Sequence, residues 1–160
     1  MMDASIAPEA SALAALRRLL LATVILGTAG MGTELLLIGH VEGQLQRLPV
    51  FLLAAAWPSL IWLAVAPSRA AVRWVQLLMT LSTVSGAVGV SLHYYGNTAF
   101  ELEMYPDLAG LALAQKALTG ATPVLAPGSM TLLGLVGLAV TFRHPLIHMR
   151  AVGQSVKEVS

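Results

Sequence analysis

Long apolar runs separated by short polar breaks dominate this chain and predict membrane-spanning helices. A bilayer core about 30 Å thick needs roughly 20 consecutive apolar residues per helix. The runs at residues 19–39, 49–66 and 74–95 meet or approach this length, and a shorter apolar run follows at 129–142. The pattern therefore predicts an all-α integral membrane protein, a four-transmembrane-helix bundle that forms a single membrane domain over residues 1–160.

Residues 96–128, between the third and fourth predicted spans, form a long loop that contains a helix signal. Pro106 and Asp107 precede the sequence LAGLALAQKAL, and Gly120 follows it. Aspartate is a favoured N-cap residue, and glycine favours the position just beyond a helix end. We therefore predict a short helix capped by Asp107, which lies in the membrane interface because its sequence is almost continuously apolar.

The distribution of basic residues predicts the orientation of the bundle. Seven of the nine Lys and Arg residues precede the first span, separate the second from the third, or follow the fourth: Arg17, Arg18, Arg69, Arg73, Arg143, Arg150 and Lys157. Basic loops favour the cytoplasmic side of a membrane. Both termini, including the tail 143–160, are therefore predicted to be cytoplasmic. This sorting, together with the lack of glycosylation sequons, favours a bacterial inner (plasma) membrane.

Composition supports the membrane prediction and narrows the chemistry. The chain is 57% hydrophobic and only 11% charged, whereas soluble domains carry about 25% charged residues. The formal net charge of +1 gives no reason to expect a nucleic-acid partner. The absence of cysteine excludes disulfides, thiolate ligands and a cysteine nucleophile. Nucleotide-binding, serine-hydrolase and zinc-protease motifs are also missing, so the sequence favours a protein that is not an enzyme.

Ionisable residues collect at the predicted outer end of the bundle. The stretch HYYGNTAFELEMYPD, residues 93–107, follows the third span, and a second polar group ends the first span. The predicted metal ligands are Glu34, His40, Glu42, His93, Glu101 and Glu103. Imidazole and carboxylate ligands together suit a transition metal such as zinc, iron or copper(II). Alternatively, His40 and His93 form a pair of axial ligands for a haem held between two helices.

Glycines predict which helix faces turn inward. Two spans carry two glycines and one ionisable residue at the same spacing: Gly27, Gly30 and Glu34, and then Gly86, Gly89 and His93. Positions three, four and seven apart share a helix face, and small residues mark the faces on which membrane helices approach closely. We therefore expect the first and third helices to approach each other through these glycines, with Glu34 and His93 facing inward.

The same residues also have purely structural explanations. Glu42, Glu101 and Glu103 are then solvated loop acids, His93 is an interfacial anchor beside two tyrosines, and His40 closes a helix end after a glycine. Glu34 is different, because an ionisable residue near the centre of a span costs about 2.5–3.5 kcal/mol and marks a functional site by default.

Three functional hypotheses follow from these observations. The first is an accessory or structural subunit that docks into a larger membrane complex, or forms a homo-oligomer, through glycine-lined helix faces and a polar outer cap. The second is a metal- or haem-binding protein with redox activity. The third is proton or ion transport past Glu34. The sequence favours the first, because the chain is small, lacks catalytic motifs and has polar loops too short to form a separate domain.

Overall fold

The computed structural model describes residues 6–120 and 122–148, which fold as an all-helical protein. The principal helices in this part of the chain are α1 (Ile6–Leu37), α2 (Gln44–Val65), α3 (Arg69–Met104), α4 (Gly110–Leu118) and α5 (Gly128–Thr141). By length and composition, α1, α2 and α3 are able to cross a membrane. The prediction of membrane helices is confirmed at this level. Most of the predicted tail, residues 149–160, lies outside the described residues.

Four of these helices form a ring in which each packs on two neighbours. Both α1 and α3 pack against α2 and α5, so α1 and α3 occupy diagonal positions. Arg17 of α1 donates a hydrogen bond to the Val140 carbonyl at the C-terminal end of α5. Arg69 of α3 donates to the Leu146 carbonyl, just beyond α5. Consequently α1 and α3 run opposite to α5. We call this end of the bundle the arginine end, and the opposite end, where α4 packs on α3, the α4 end.

The apolar core lies in the half of the bundle nearest the arginine end. All four ring helices contribute to it, through Val24, Ala56, Leu60, Leu63, Ala71, Val72, Val75, Leu78, Met79 and Val140. Because lipid tails are as apolar as these side chains, close packing rather than exclusion of water would hold this region together in a bilayer.

Glycines let α3 and α5 approach closely along their whole contact. A Cβ atom added at Gly86 of α3 would lie 2.5 Å from the Thr131 backbone nitrogen and 2.7 Å from the Pro127 carbonyl oxygen. A Cβ atom added at Gly134 of α5 would lie 2.6 Å from the Met79 carbonyl oxygen. Backbone atoms cannot move aside as a flexible side chain can, so each helix needs glycine where the other approaches it. We call this contact the α3–α5 seam.

The first helix ends where the sequence indicates. Gly39 adopts a φ of +68°, a left-handed conformation that glycine adopts without a Cβ penalty. The Gly39 N–H donates to the Leu36 carbonyl at 3.2 Å, and the His40 N–H donates to the Leu35 carbonyl at 2.9 Å. These two bonds form a Schellman motif. His40 therefore closes α1 through its backbone.

The third helix is longer than predicted, and the helix after it begins later. Helix α3 continues through residues 96–104, which are predicted to form a loop, and reaches Met104. The predicted N-cap is wrong, because Asp107 lies in the turn after α3 and Ala109 occupies the N-cap position of α4. Because α3 is longer than predicted, the turn that follows it occupies the residues at which α4 is predicted to begin.

The lengths of α3 and α5 differ from that of a bilayer core in opposite directions. With 36 residues, α3 is about 54 Å long at 1.5 Å per residue. With 14 residues, α5 is about 21 Å long, which is shorter than the bilayer core of about 30 Å. Helix α5 is therefore too short to lie beside the whole of α3. At the α4 end, α3 packs instead against α4 and the chain that leads from α4 to α5.

Candidate functional site

The polar stretch near the end of α3 forms a stripe along one helix face. His93, Asn97 and Glu101 follow one another at intervals of four residues, and Tyr105, the C-cap residue, continues the interval. Residues four apart on a helix are neighbours on the same side. We call these four residues the α3 polar stripe. Each of them contacts residues 116–123, which comprise the end of α4 and the start of the return to α5.

Asn97 is the most completely bonded member of the stripe. Its side chain is 2% exposed. The amide nitrogen donates to the Ala117 carbonyl at 2.9 Å and to the Thr122 carbonyl at 2.7 Å. The amide oxygen accepts from the Thr122 backbone N–H at 3.2 Å and from the Thr122 hydroxyl. Both donors and the acceptor are therefore used, which removes the penalty for burying an amide.

Gly120 allows the returning chain to lie directly over Asn97. A Cβ atom added at Gly120 would lie 2.9 Å from the Asn97 amide carbon and nitrogen. Any larger residue would push the chain away from the amide, and the hydrogen bonds to Ala117 and Thr122 would lengthen. The predicted helix-ending glycine therefore has a second role, which is contact with a residue of α3.

His93 contacts the same segment through one ring nitrogen. Its Nδ1 lies 3.1 Å from the Pro123 carbonyl oxygen. A carbonyl oxygen only accepts hydrogen bonds, so Nδ1 carries the proton in this contact, and Nε2 is the acceptor when the ring is neutral. The first nitrogen thus helps hold the returning chain, and the second remains able to accept a hydrogen bond.

Glu101 is paired with a lysine of α4. Its Oε2 lies 3.5 Å from the Lys116 Nζ, and the same Nζ lies 3.6 Å from the centroid of the Tyr105 ring. Lys116 therefore sits between a carboxylate and an aromatic face, each of which attracts a cation. Surface ion pairs contribute about 0–1 kcal/mol, so this contact positions α4 more than it stabilises the protein.

The predicted metal ligands are dispersed rather than gathered. Glu42 lies exposed in the turn between α1 and α2, Glu103 lies exposed on α3, and half-buried His40 follows the end of α1. Within residues 6–120 and 122–148, no three His, Asp or Glu side chains are grouped so that they could hold a metal ion. The six-residue metal site therefore has no support from the structure.

The expectation that glycines bring α1 and α3 together is wrong, because both helices use glycine to pack on α5. A Cβ atom at Gly27 would contact Leu133, and one at Gly89 would contact Pro127. Gly30 faces open space, because no atom of the described residues lies within 4 Å of the position of an added Cβ. Protein therefore occupies the space beside Gly86 and Gly89 of α3.

Glu34 faces outward, contrary to the expectation that it faces inward. It lies in the last turn of α1 and is exposed. Among the described residues it has no hydrogen-bond or ion-pair partner for its carboxylate. An acid on the outside of the bundle does not line a path between the helices, which weakens the case for transport through the bundle.

The arginine end contains a second set of polar contacts. Arg17 donates from Nε to the Val140 carbonyl at 3.0 Å and from Nη2 to the Phe142 carbonyl at 3.3 Å. Arg69 donates from Nε to the Leu146 carbonyl at 2.9 Å. The last carbonyls of a helix lack partners within it and form its negative end. Arg17 satisfies such carbonyls and places positive charge where the dipole of α5 favours it, whereas Arg69 bonds to a carbonyl beyond α5.

A histidine lies beside these arginine contacts. Burial lowers the pKa of His144, and the charge of Arg17 lowers it further. The Leu146 N–H donates to His144 Nδ1 at 3.4 Å, an interaction that only the neutral ring can accept. Burial, the charge of Arg17 and this hydrogen bond all favour the neutral form of His144.

Asn97 and Thr122 are not among the candidate residues predicted from the sequence. The signal for Asn97 is its position four residues after His93 and four before Glu101. That spacing has meaning only if the stretch is helical, and a polar stretch after a membrane span is more readily interpreted as a loop.

Comparison of the chain with protein-family models, curated proteins and solved structures gives no match.

Proposed function

We propose that this protein is a small integral membrane subunit that docks through α1 onto a transmembrane helix of a larger membrane protein. The observation that carries the proposal is the carboxylate of Glu34 on α1, which is exposed and has no partner among residues 6–120 and 122–148. Of the three long helices, α1 is also the least covered by its own protein. Only 11% of its most apolar window is buried, compared with 22% for α2 and 28% for α3.

The surface around Glu34 suits a close helix contact. One turn before Glu34, Gly30 is exposed and open. Thr33 is exposed, but its hydroxyl is already bonded to the Ala29 carbonyl at 2.9 Å. Small residues let two membrane backbones approach, and polar groups hydrogen-bond across such contacts. A partner helix packed on Gly30 would therefore bring its side chains within reach of Glu34.

The partner helix is defined by the chemistry that Glu34 requires. A carboxylate facing lipid costs up to about 2.5–3.5 kcal/mol, depending on its depth in the bilayer. A lysine, an arginine or an amide donor opposite Glu34 would offset that cost. Such a contact would be specific, because a partner without a donor at that level would leave the acid unpaired.

In this proposal α5 is the fourth span, and both termini are cytoplasmic. The seven-to-two distribution of basic residues supports this orientation, with the arginine end at the cytoplasmic face of an inner (plasma) membrane. The α3–α5 seam supports the fourth span, because it buries the backbone of α5 against α3 although α5 is short.

Site-specific photocrosslinking in native membranes tests the docking proposal. A photoreactive residue at Leu26, which is 73% exposed and two turns before Glu34, should give one discrete adduct with a larger membrane protein. The same residue at Val84 of α3, which is 55% exposed, serves as the positional control. Glu34→Ala should abolish the Leu26 adduct, whereas Glu103→Ala, which removes another exposed acid, should leave it intact.

Two outcomes would contradict the proposal. An adduct of twice the mass of the chain would show that the partner is a second copy, not a larger protein. Equal diffuse labelling from Leu26 and Val84, unaffected by Glu34→Ala, would show that the exposed face of α1 contacts lipid alone.

A further inference from the structure

A groove opens at the arginine end, between the first turns of α3 and the segment that follows α5. It has a volume of about 460 Å³ and is lined by Arg69, Ala70, Arg73, Trp74, Leu77 and Ile147. Small-molecule sites typically have volumes of about 300–1,000 Å³. The groove has two arginines among its lining residues, and the others are apolar or aromatic, so it combines positive charge with apolar surface.

Within the part of the chain that the structure describes, the positive charge of this groove has no counter-ion. Arg73 is exposed, and no described residue forms a hydrogen bond or an ion pair with its guanidinium. Arg69 uses Nε to reach the Leu146 carbonyl, which leaves its terminal nitrogens available. Both arginines also lie at the start of α3, where the positive end of the helix dipole favours an anion rather than a cation. The groove therefore carries positive charge that an anion would neutralise.

We propose that this groove binds the phosphate of an anionic phospholipid, with part of an acyl chain lying on its apolar surface. The planar guanidinium matches the geometry of phosphate oxygens, and tryptophan favours the level of lipid headgroups. Basic pockets between membrane helices bind anionic headgroups. Trp74, Leu77 and Ile147 supply the acyl-chain surface. A free phosphate ion would leave that apolar surface unused, which favours a lipid as the occupant.

This inference goes beyond the proposed docking function and involves the opposite end of the molecule from Glu34. The groove lies at the start of α3 and the end of α5, whereas Glu34 lies in the last turn of α1. Loss of lipid binding would therefore leave the Leu26 crosslink in place, and loss of the crosslink would leave lipid binding in place.

Fluorescence quenching by brominated lipids tests the proposal on the full-length protein. Trp57→Phe and Trp62→Phe leave Trp74 as the one tryptophan, since the chain has three. The protein is reconstituted in phosphatidylcholine vesicles that contain brominated phosphatidylglycerol or, at the same fraction, brominated phosphatidylcholine. We expect a preference of about five-fold for the anionic lipid, the effect of one basic residue at a membrane surface.

Substitutions assign this preference to the groove. Arg73→Gln should remove most of the preference without removing a hydrogen bond or an ion pair among the described residues. Arg18→Gln removes an exposed arginine that precedes the first apolar run and does not line the groove, so it should leave the preference unchanged. Arg69→Gln should also reduce the preference, with circular dichroism showing whether the loss of its bond to Leu146 alters the helices.

Two results would overturn the proposal. The first is equal quenching by the two brominated lipids, which is also the result expected if the groove binds a free phosphate ion rather than a lipid. The second is a preference that Arg73→Gln leaves intact.

Discussion

Side chains of different chemistry bind backbone carbonyls at the two ends of the bundle. At the arginine end, the cationic side chains of Arg17 and Arg69 donate to carbonyls at and beyond the end of α5. At the α4 end, the neutral amide of Asn97 donates to the carbonyls of Ala117 and Thr122. At both ends, a side chain of α1 or α3 donates hydrogen bonds to backbone carbonyls in or next to α4 or α5.

Burial explains the difference between the two ends. Asn97 is almost fully buried, whereas Arg17 is half-buried and Arg69 is exposed. A buried charge requires a paired counter-charge to offset its desolvation, and a buried amide requires only hydrogen bonds. An arginine near the surface keeps its charge in a polar environment while its aliphatic stem lies along the helices. The comparison predicts that the α4 end is the more sensitive to loss of a single side chain.

The largest expected effect is that of Asn97→Ala. The substitution removes every hydrogen bond of the buried amide and leaves the groups on Ala117 and Thr122 without partners. We expect a loss of about 2–4 kcal/mol of unfolding free energy, since each unsatisfied buried group costs about 1–3 kcal/mol. Thermal unfolding in detergent measures it. Gln115→Ala, which removes an exposed amide from α4, is the control, and an equal effect would show that burial of Asn97 is unimportant.

The next effect concerns the α3–α5 seam, which connects the two ends. Gly134→Ala places a methyl group 2.6 Å from the Met79 carbonyl oxygen, and we expect it to destabilise the protein by about 1–3 kcal/mol through overpacking. Gly30→Ala meets open space and should stabilise α1 slightly through helix propensity, by up to about 1 kcal/mol. Equal changes in melting temperature would contradict the close approach of α3 and α5.

A smaller effect is expected at the arginine end. Arg17→Gln removes the bonds to the Val140 and Phe142 carbonyls, and because the site is partly exposed to solvent we expect a loss of about 1 kcal/mol. The matched variant Arg18→Gln removes the adjacent arginine, which is exposed, and should change the melting temperature less. If Arg17→Gln cost more than Asn97→Ala, the proposed order of sensitivity would be reversed.

The smallest expected effect is a dependence of stability on pH through His144. Its pKa in the folded protein lies below the unperturbed value of about 6.5, so the unfolded chain binds more protons as the pH falls. Stability should therefore fall below about pH 6.5 and be constant above about pH 7.5 as far as this residue is concerned. His144→Gln should reduce the loss of stability that occurs as the pH falls from about 7.5 to below about 6.5. The control is His148→Gln, at an exposed position.

The long helices could be predicted from the sequence because a long run of apolar residues is enough to indicate a membrane-spanning helix. Helix α1 ends at Leu37, near the predicted end at 39, because Gly39 supplies the left-handed residue that closes it. The end of α3 could not be predicted in the same way. Residues 96–104 are helical with a polar stripe on one side, and the partner that makes this favourable, α4 with the chain after it, lies later in the sequence.

The partner of each glycine face could not be predicted either. The repeated spacing of Gly86 and Gly89 indicates correctly that one face of α3 packs closely. It does not indicate which helix lies opposite, because that depends on the order of helices around the ring. Asn97 presents a related difficulty, since an amide carries no charge and its importance follows from burial that only the folded chain shows.

The continuity of α3 has a mechanical consequence. The helix runs unbroken from Arg69 to Met104 and contains no proline, so it acts as a rod about 54 Å long. A tilt of about 5° about one end would move the other end by about 5 Å. Because Arg69 lines the groove at one end and Glu101 contacts α4 at the other, a rigid-body tilt of α3 would move both sites together.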